Sequence, residues 1–224
     1  EAGVGKSRLL HEFRQRIDER GVRVLAGRCQ SYGGAAPYLP FIEVLRSLLR
    51  RPGDTPEQPG AEDAAARVHA IDPALNAFVP LYLQLLSIAA GAHPLPRHPR
   101  GDQLQAAVPE ALAEILVRAA AGSPVVLLLD DWHCSDAGSR EALRRLGEIA
   151  GAHALLVVVT SRPHAAQPSE GDPECVRLQL GPLDFTHATA LMSDVLQVRA
   201  VSEDLARHVH QRTAGNPFFL EEIC

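Results

Sequence analysis

A glycine-rich turn that ends in Lys-Ser and runs straight into an amphipathic helix leaves a chain few folds to choose from. Glu1-Ala2-Gly3-Val4-Gly5-Lys6-Ser7 is such a turn, continuing into Arg8-Leu9-Leu10-His11-Glu12-Phe13. Seven of the eight positions of the phosphate-binding pattern G-x-x-x-x-G-K-[ST] are present, and the remaining glycine is expected just before Glu1. Small residues let successive backbone N–H groups converge on phosphate oxygens, and the helix that follows adds the positive end of its dipole. Gly3, Val4, Gly5, Lys6, Ser7 and Arg8 form the candidate phosphate-binding run. Lys6 is placed to reach the β and γ phosphates, and the Ser7 hydroxyl to complete the shell of a Mg2+ ion. The plain alternative is a glycine-rich helix start with an exposed lysine, so the rest of the chain has to decide.

A second stretch bears on it. Pro124-Val125-Val126-Leu127-Leu128-Leu129-Asp130-Asp131 reads as a strand buried on both faces that delivers two carboxylates to the carboxyl edge of a parallel sheet, where open α/β folds bind ligands. This resembles a Walker B motif: Asp130 binds Mg2+ directly or through water, and Asp131 stands where a second carboxylate polarises the attacking water. The alternative for either acid alone is an acidic turn after a core strand. Leu155-Leu156-Val157-Val158-Val159 gives another buried strand, and its tip, Thr160-Ser161-Arg162-Pro163, faces the same edge. Arg162 is the candidate γ-phosphate sensor.

The intervening pattern fits an α/β chain. A helix over Ser7 to Arg20 ends at Gly21, and a strand follows at Val22 to Gly27. Residues 30 to 121 read as mostly helical: Pro37 to Leu49, Ala61 to Ala70, Pro80 to Ala90, and a long helix from Asp102 to Ala120 that Pro109 bends or divides. The breaks fall at Arg51 to Gly60 and Gly91 to Gly101. Asp136 caps a helix through Ala150, and the loop Pro163 to Pro173 leads to a last strand at Val176 to Leu180. From Asp184 the pattern is helical, with Ser202 capping a second helix that ends near Gly215. Asn216 and Pro217 open a third.

Composition excludes several classes. With 46% hydrophobic and 22% charged residues the chain reads as globular, and no apolar run is long enough to span a bilayer. Net charge is −5, from 22 Lys+Arg against 27 Asp+Glu, with no basic cluster to form a nucleic-acid groove. Cys29, Cys134, Cys175 and Cys224 show no metal or disulfide spacing and are expected to be reduced, mostly buried thiols. A cytoplasmic location follows as the expectation.

The set GVGKSRLL, VVLLLDDWHCSD, LLVVVTSRP, LGPLDFTHATALM and AGNPFFLEEI resembles the AAA-type ATPase module of large bacterial signalling proteins. That module stands among or close to the STAND ATPases, and occurs in LuxR-type ATP-binding regulators and in adenylate/guanylate cyclase or kinase fusions. The resemblance implies an α/β P-loop NTPase three-layer sandwich over residues 1–183, with its first strand upstream of Glu1, and the start of a helical lid over 184–224. It assigns Lys6 and Ser7 the Walker A roles, Asp130 and Asp131 the Walker B roles, and Arg162 the first sensor position. Gly215-Asn216-Pro217 corresponds to a G-x-P element whose proline, Pro217, lies close to the nucleotide. His133-Cys134-Ser135-Asp136 departs from the expected His-Trp-Ala-Asp, and the tail lacks the second-sensor arginine of motor-type AAA proteins.

The implied function is an ATP-binding, slowly hydrolysing switch that uses ATP/ADP and Mg2+ to control effector and sensor domains in the same longer chain. Direct nucleic-acid and membrane binding are not expected of this segment, and nucleotide-dependent self-association is left open. Two other readings compete, a ring-forming remodelling ATPase and a nonhydrolysing nucleotide-binding interaction module. Without the upstream strand these residues are expected to fold poorly on their own, because neighbouring backbone groups lose their partners.

Overall fold

The computed structural model describes residues 2–30, 37–51, 54, 59–94, 101–162 and 175–224, with only the backbone of 101–105. Glu1, the loop from Pro163 to Pro173, and parts of the expected breaks at Arg51 to Gly60 and Gly91 to Gly101 lie outside the described residues. The chain divides into two compact units, one of Glu1–Gln15 with Gly171–Cys224 and one of Arg16–Glu170. Each is described by itself.

The larger unit is built on a parallel sheet of three strands among the described residues, β1 (Arg23–Arg28), β2 (Val125–Asp130) and β3 (Leu155–Val159), in the order β1-β2-β3. The register runs from Arg23 opposite Val125 to Arg28 opposite Asp130, and from Val125 opposite Leu155 to Leu129 opposite Val159. β2 lies in the middle, and Val125 to Leu129 are all buried. Alternation of side chains along a strand sends Leu127 and Leu129 into the main core, and Val126 and Leu128 to the other face. An uninterrupted aliphatic run is what such a doubly covered strand requires.

The main core is closed by helices. α2 (Leu39–Leu49) contributes Phe41, Val44, Leu45 and Leu48; α5 (Gly101–Gly122) contributes Leu112, Ile115 and Leu116; α6 (Ala137–Ala150) contributes Ala142 and Leu146. α3 (Ala61–Ile71) and α4 (Val79–Leu85) add Val68 and Tyr82, whose buried hydroxyl donates to the Ala111 carbonyl at 2.8 Å. α5 runs through Pro109 without division. The helix expected at Pro80 to Ala90 follows a 3₁₀ turn at Pro73–Phe78 and ends early, at Leu85, because Ser87 takes a left-handed φ of 57° just past its end.

The smaller unit holds the N-terminal loop, the start of α1 (Lys6–Asp18), and α7 (Phe185–Val195), α8 (Glu203–Thr213) and α9 (Pro217–Ile223). A second core of Ala188, Met192, Ala206, Val209 and Leu220 joins the three C-terminal helices. Asp184 caps α7 by accepting from the His187 N–H at 2.8 Å, and Asn216 caps α9 by accepting from the Phe218 N–H at 3.1 Å.

Three sequence expectations are corrected. Val176 to Leu180 is not a strand: it pairs with none of the described strands, and Val176 and Leu178 stand 84% and 78% exposed. An alternating apolar run becomes a strand only where a neighbouring edge accepts its hydrogen bonds. Ser202 sits at the start of α8 but its side chain makes no capping bond, which leaves Glu203 and Asp204 as the favourable charges of the first turn. The cysteines are free thiols, yet only Cys29 is buried, and Cys175 is exposed. Burial pushes the Cys29 thiol up to about 12, so it stays protonated and unreactive at neutral pH. Among the described residues no helix is long and apolar enough to cross a membrane.

β1 and α2 approach so closely that Gly27 has no room for a side chain: a Cβ there would lie 2.0 Å from the Pro40 carbonyl oxygen. Gly27→Ala is therefore expected to destabilise the fold by about 3 kcal/mol, since the obstacle is backbone. Gly147, inside α6, meets nothing within 4 Å of an added Cβ, and Gly147→Ala is expected to stabilise by about 0.5–1 kcal/mol through helix propensity. Urea unfolding midpoints of the two variants check this opposite pair of signs.

Candidate functional site

The phosphate-loop sequence folds as its composition demands. Gly3 and Gly5 take φ of 78° and 93°, values that favour glycine, and Lys6 opens α1. The turn closes with the Leu9 N–H donating to the Gly5 carbonyl at 2.9 Å. The N–H groups of Ser7 and Arg8 come before that first bond, at the end of the helix where backbone N–H groups point outward. Val4 is buried and anchors the loop, while Ser7 is exposed. The Arg8 guanidinium is held by Glu12 one turn on, 2.9 Å away.

Pro217 arrives beside this loop through its neighbours. The Asn216 side-chain amide donates to the Ala2 carbonyl at 3.0 Å, and the Phe218 N–H donates to the Gly3 carbonyl at 3.2 Å. A Cβ on Gly3 would lie 2.7 Å from Asn216 Oδ1 and 2.8 Å from Phe218 Cβ. Gly3 thus answers two demands, the loop's positive φ and the close approach of the turn that starts α9.

In the larger unit the ends of the three strands assemble a polar cluster. Register sets Arg28 level with Asp130, and the Thr160 N–H, donating to the Leu129 carbonyl at 2.9 Å, carries the ladder one residue past β3. The Thr160 hydroxyl donates to Asp130 Oδ1 and accepts from the Asp131 N–H at 3.1 Å. That same N–H lies 3.0 Å from Asp130 Oδ1, and the Trp132 N–H donates to the Thr160 carbonyl at 2.8 Å. These bonds hold Asp131 at φ 53°, a left-handed conformation that costs a non-glycine residue about 1 kcal/mol and persists only when its surroundings impose it. The turn aims the Asp131 carboxylate at Arg28, whose Nε and Nη2 lie 3.1 and 2.9 Å from Oδ2. His133 Nδ1 lies 4.0 Å from Asp131 Oδ1. The Arg28 guanidinium is held more firmly protonated by the hydrogen bond and charge of Asp131 and by the charge of Asp130. Its backbone N–H is fixed by Glu43 Oε2 of α2 at 2.8 Å.

The structure therefore gathers Asp130 and Asp131 with Arg28 and Thr160 in one unit, and Gly3 to Ser7 with the turn at Pro217 in the other. Arg162 follows Thr160 by two residues, with an exposed side chain. Sequence reasoning set Thr160 at the ligand edge without giving it a role, and passed over Arg28, the polar residue that ends β1 as Asp130 ends β2. A Mg2+ ion suits the donor set. No group of three or more His, Cys, Asp or Glu among the described residues makes a protein cage, and Mg2+ is ordinarily held by one or two carboxylates with water and phosphate oxygens. Asp130 Oδ2, 4.0 Å from Arg28 Nε, is the oxygen not engaged by Thr160.

The two hydrogen-bonding neighbours of the acids differ in what they hold. Thr160→Val keeps the shape but removes a half-buried hydroxyl that both donates and accepts, and is expected to cost about 1–2 kcal/mol. The Arg28 side chain is 67% exposed, so Arg28→Ala is expected to change stability by less than about 1 kcal/mol. Denaturant unfolding of both variants checks the contrast.

Comparison with known proteins places the chain in a family. The profile of the AAA ATPase domain family matches residues 1–159, and that of a domain of unknown function, DUF8739, matches residues 186–224. An uncharacterized protein of Rhizobium meliloti (strain 1021) is 29% identical over the full length of the chain, which spans 22% of that protein. No solved structure matches significantly. With the glycine loop entering α1, the acidic end of the central strand and a family match over most of its length, the chain belongs to the AAA ATPase domain family.

Proposed function

We propose that this chain is a nucleotide-dependent switch: it binds MgATP, hydrolyses it slowly, and uses the difference between the ATP and ADP states to move its C-terminal helices as a lid. In this reading the N–H groups of Gly3 to Ser7 hold the phosphates, with Lys6 as the mobile charge over the β and γ phosphates and Arg8 closing the run. Ser7 and Asp130 hold Mg2+, which supplies charge neutralisation at the phosphates. Asp131 orients and polarises the attacking water, Arg162 senses the γ-phosphate, and Pro217 borders the nucleotide. The output passes to effector and sensor domains elsewhere in a longer protein, in keeping with the 22% of the Rhizobium meliloti relative that the chain spans.

The observation that carries the slow turnover is the Arg28–Asp131 pair. Two nitrogens of Arg28 donate to the same oxygen of Asp131, Oδ2, so that oxygen is withheld from an attacking water until the guanidinium moves, while Oδ1 is not held by it. The same pair favours a second reading, nucleotide binding without hydrolysis, if Arg28 never lets go.

Titration of MgATP and MgADP into the intact protein, beside single-turnover measurement of phosphate release, tests both. Lys6→Ala is expected to lose on the order of tenfold or more in affinity, the cost of one charge-assisted contact to phosphate. Asp130→Ala is expected to bind nucleotide with little dependence on Mg2+. Binding without phosphate release selects the second reading, and absence of binding in folded protein overturns both.

A further inference from the structure

The contact between the N-terminal loop and the start of α9 lies within one compact unit and uses particular peptide groups. Asn216 Nδ2 donates to the Ala2 carbonyl at 3.0 Å, while its Oδ1 accepts from the Phe218 N–H at 3.1 Å. That N–H also reaches the Gly3 carbonyl at 3.2 Å. One side chain thus joins the loop to the first turn of the helix.

Peptide geometry gives the contact its meaning. A peptide group is planar, so its C=O and N–H turn together. The Ala2 carbonyl shares a plane with the Gly3 N–H, and the Gly3 carbonyl shares one with the Val4 N–H. The two carbonyls bonded to Asn216 and Phe218 are therefore the reverse sides of two N–H groups in the phosphate-binding run. Any phosphate that draws those N–H groups toward itself rotates the carbonyls by the same angle. Gly3, at φ 78°, has the backbone freedom to allow it, and no side chain shields its carbonyl from α9.

We infer that Asn216 is the positioning residue that couples the phosphate-binding loop to the C-terminal helices. It reads the orientation of the Ala2–Gly3 and Gly3–Val4 peptides and passes it to α9 through its capping bond. This rests on the proposed nucleotide binding and goes beyond it by naming the residue that transmits occupancy. Helix α9 shares the second core with α7 and α8 through Leu220, so a shift of its first turn reaches all three helices. Coupling of this kind needs two arrangements that the ligand prefers unequally, and the two peptide planes provide the element that flips.

The capping and coupling roles separate chemically. Asp in place of Asn keeps the oxygen that caps Phe218 but loses the amide that donates to Ala2, and sets a carboxylate against that carbonyl instead. Ser also caps and also lacks the amide. Hydrogen exchange over residues 216–223 is measured in the intact protein alone, with MgADP and with MgATPγS, for wild type, Asn216→Asp and Asn216→Ser. Nucleotide affinity is measured in parallel.

In wild type the exchange rates are expected to differ between nucleotide states by on the order of fivefold or more, the lower end of ordinary coupling energies. In Asn216→Asp and Asn216→Ser, with α9 protection in the nucleotide-free protein close to wild type, that difference is expected to fall below about twofold while binding persists. A full nucleotide response in either variant overturns the coupling role and leaves the proposed function standing. A wild type that binds nucleotide without a response in α9 also overturns it. A folded wild type that binds neither nucleotide overturns the proposed function and this inference together.

Discussion

Everything in the larger unit depends on β2 being hydrogen-bonded on both sides and covered on both faces. A strand in that position exposes no backbone group along its length, so its residues need only be apolar and well packed, and Val125 to Leu129 are. The constraint ends abruptly at Asp130, where the sheet runs out and water can reach the chain. The polar cluster stands there because it is the first place where charge can be hydrated. β1 and β3, the outer strands of the described sheet, are only partly covered, and their register with β2 sets Arg28 and Thr160 level with the acids.

That shared edge makes each polar residue depend on its neighbours. Asp131 adopts a backbone conformation that it would avoid in isolation, held by the Thr160 hydroxyl and by Asp130. Its carboxylate balances the Arg28 guanidinium. The Arg28–Asp131 bond is exposed and contributes little to stability, yet it fixes where a negative charge points.

In the smaller unit the governing constraint is the absence of a side chain at Gly3. The position allows a positive φ, and it admits the turn at Asn216 to a distance that any Cβ would forbid. Two uses of one missing atom tie the loop to the C-terminal helices. Among the described residues the core of the three helices is Ala188, Met192, Ala206, Val209 and Leu220 with a few partly buried neighbours, and the bonds from Asn216 and Phe218 add a link from α9 to the loop.

The sequence by itself determined local elements: the glycine loop that enters α1, the aliphatic run of β2 with Asp130 at its end, and the caps Asp136 and Asn216. These are set by residues close in the chain, through φ restriction, side-chain period and short-range hydrogen bonds. Tertiary structure alone decided the rest. The failure of Val176 to Leu180 to become a strand depends on whether an edge accepts it, and an apolar pattern cannot state that. The pairing of Arg28 with Asp131 joins residues 103 apart, and that of Asn216 with Ala2 joins residues 214 apart. Such pairs follow from strand register and backbone approach, and register is fixed by packing across the whole sheet rather than by any one segment.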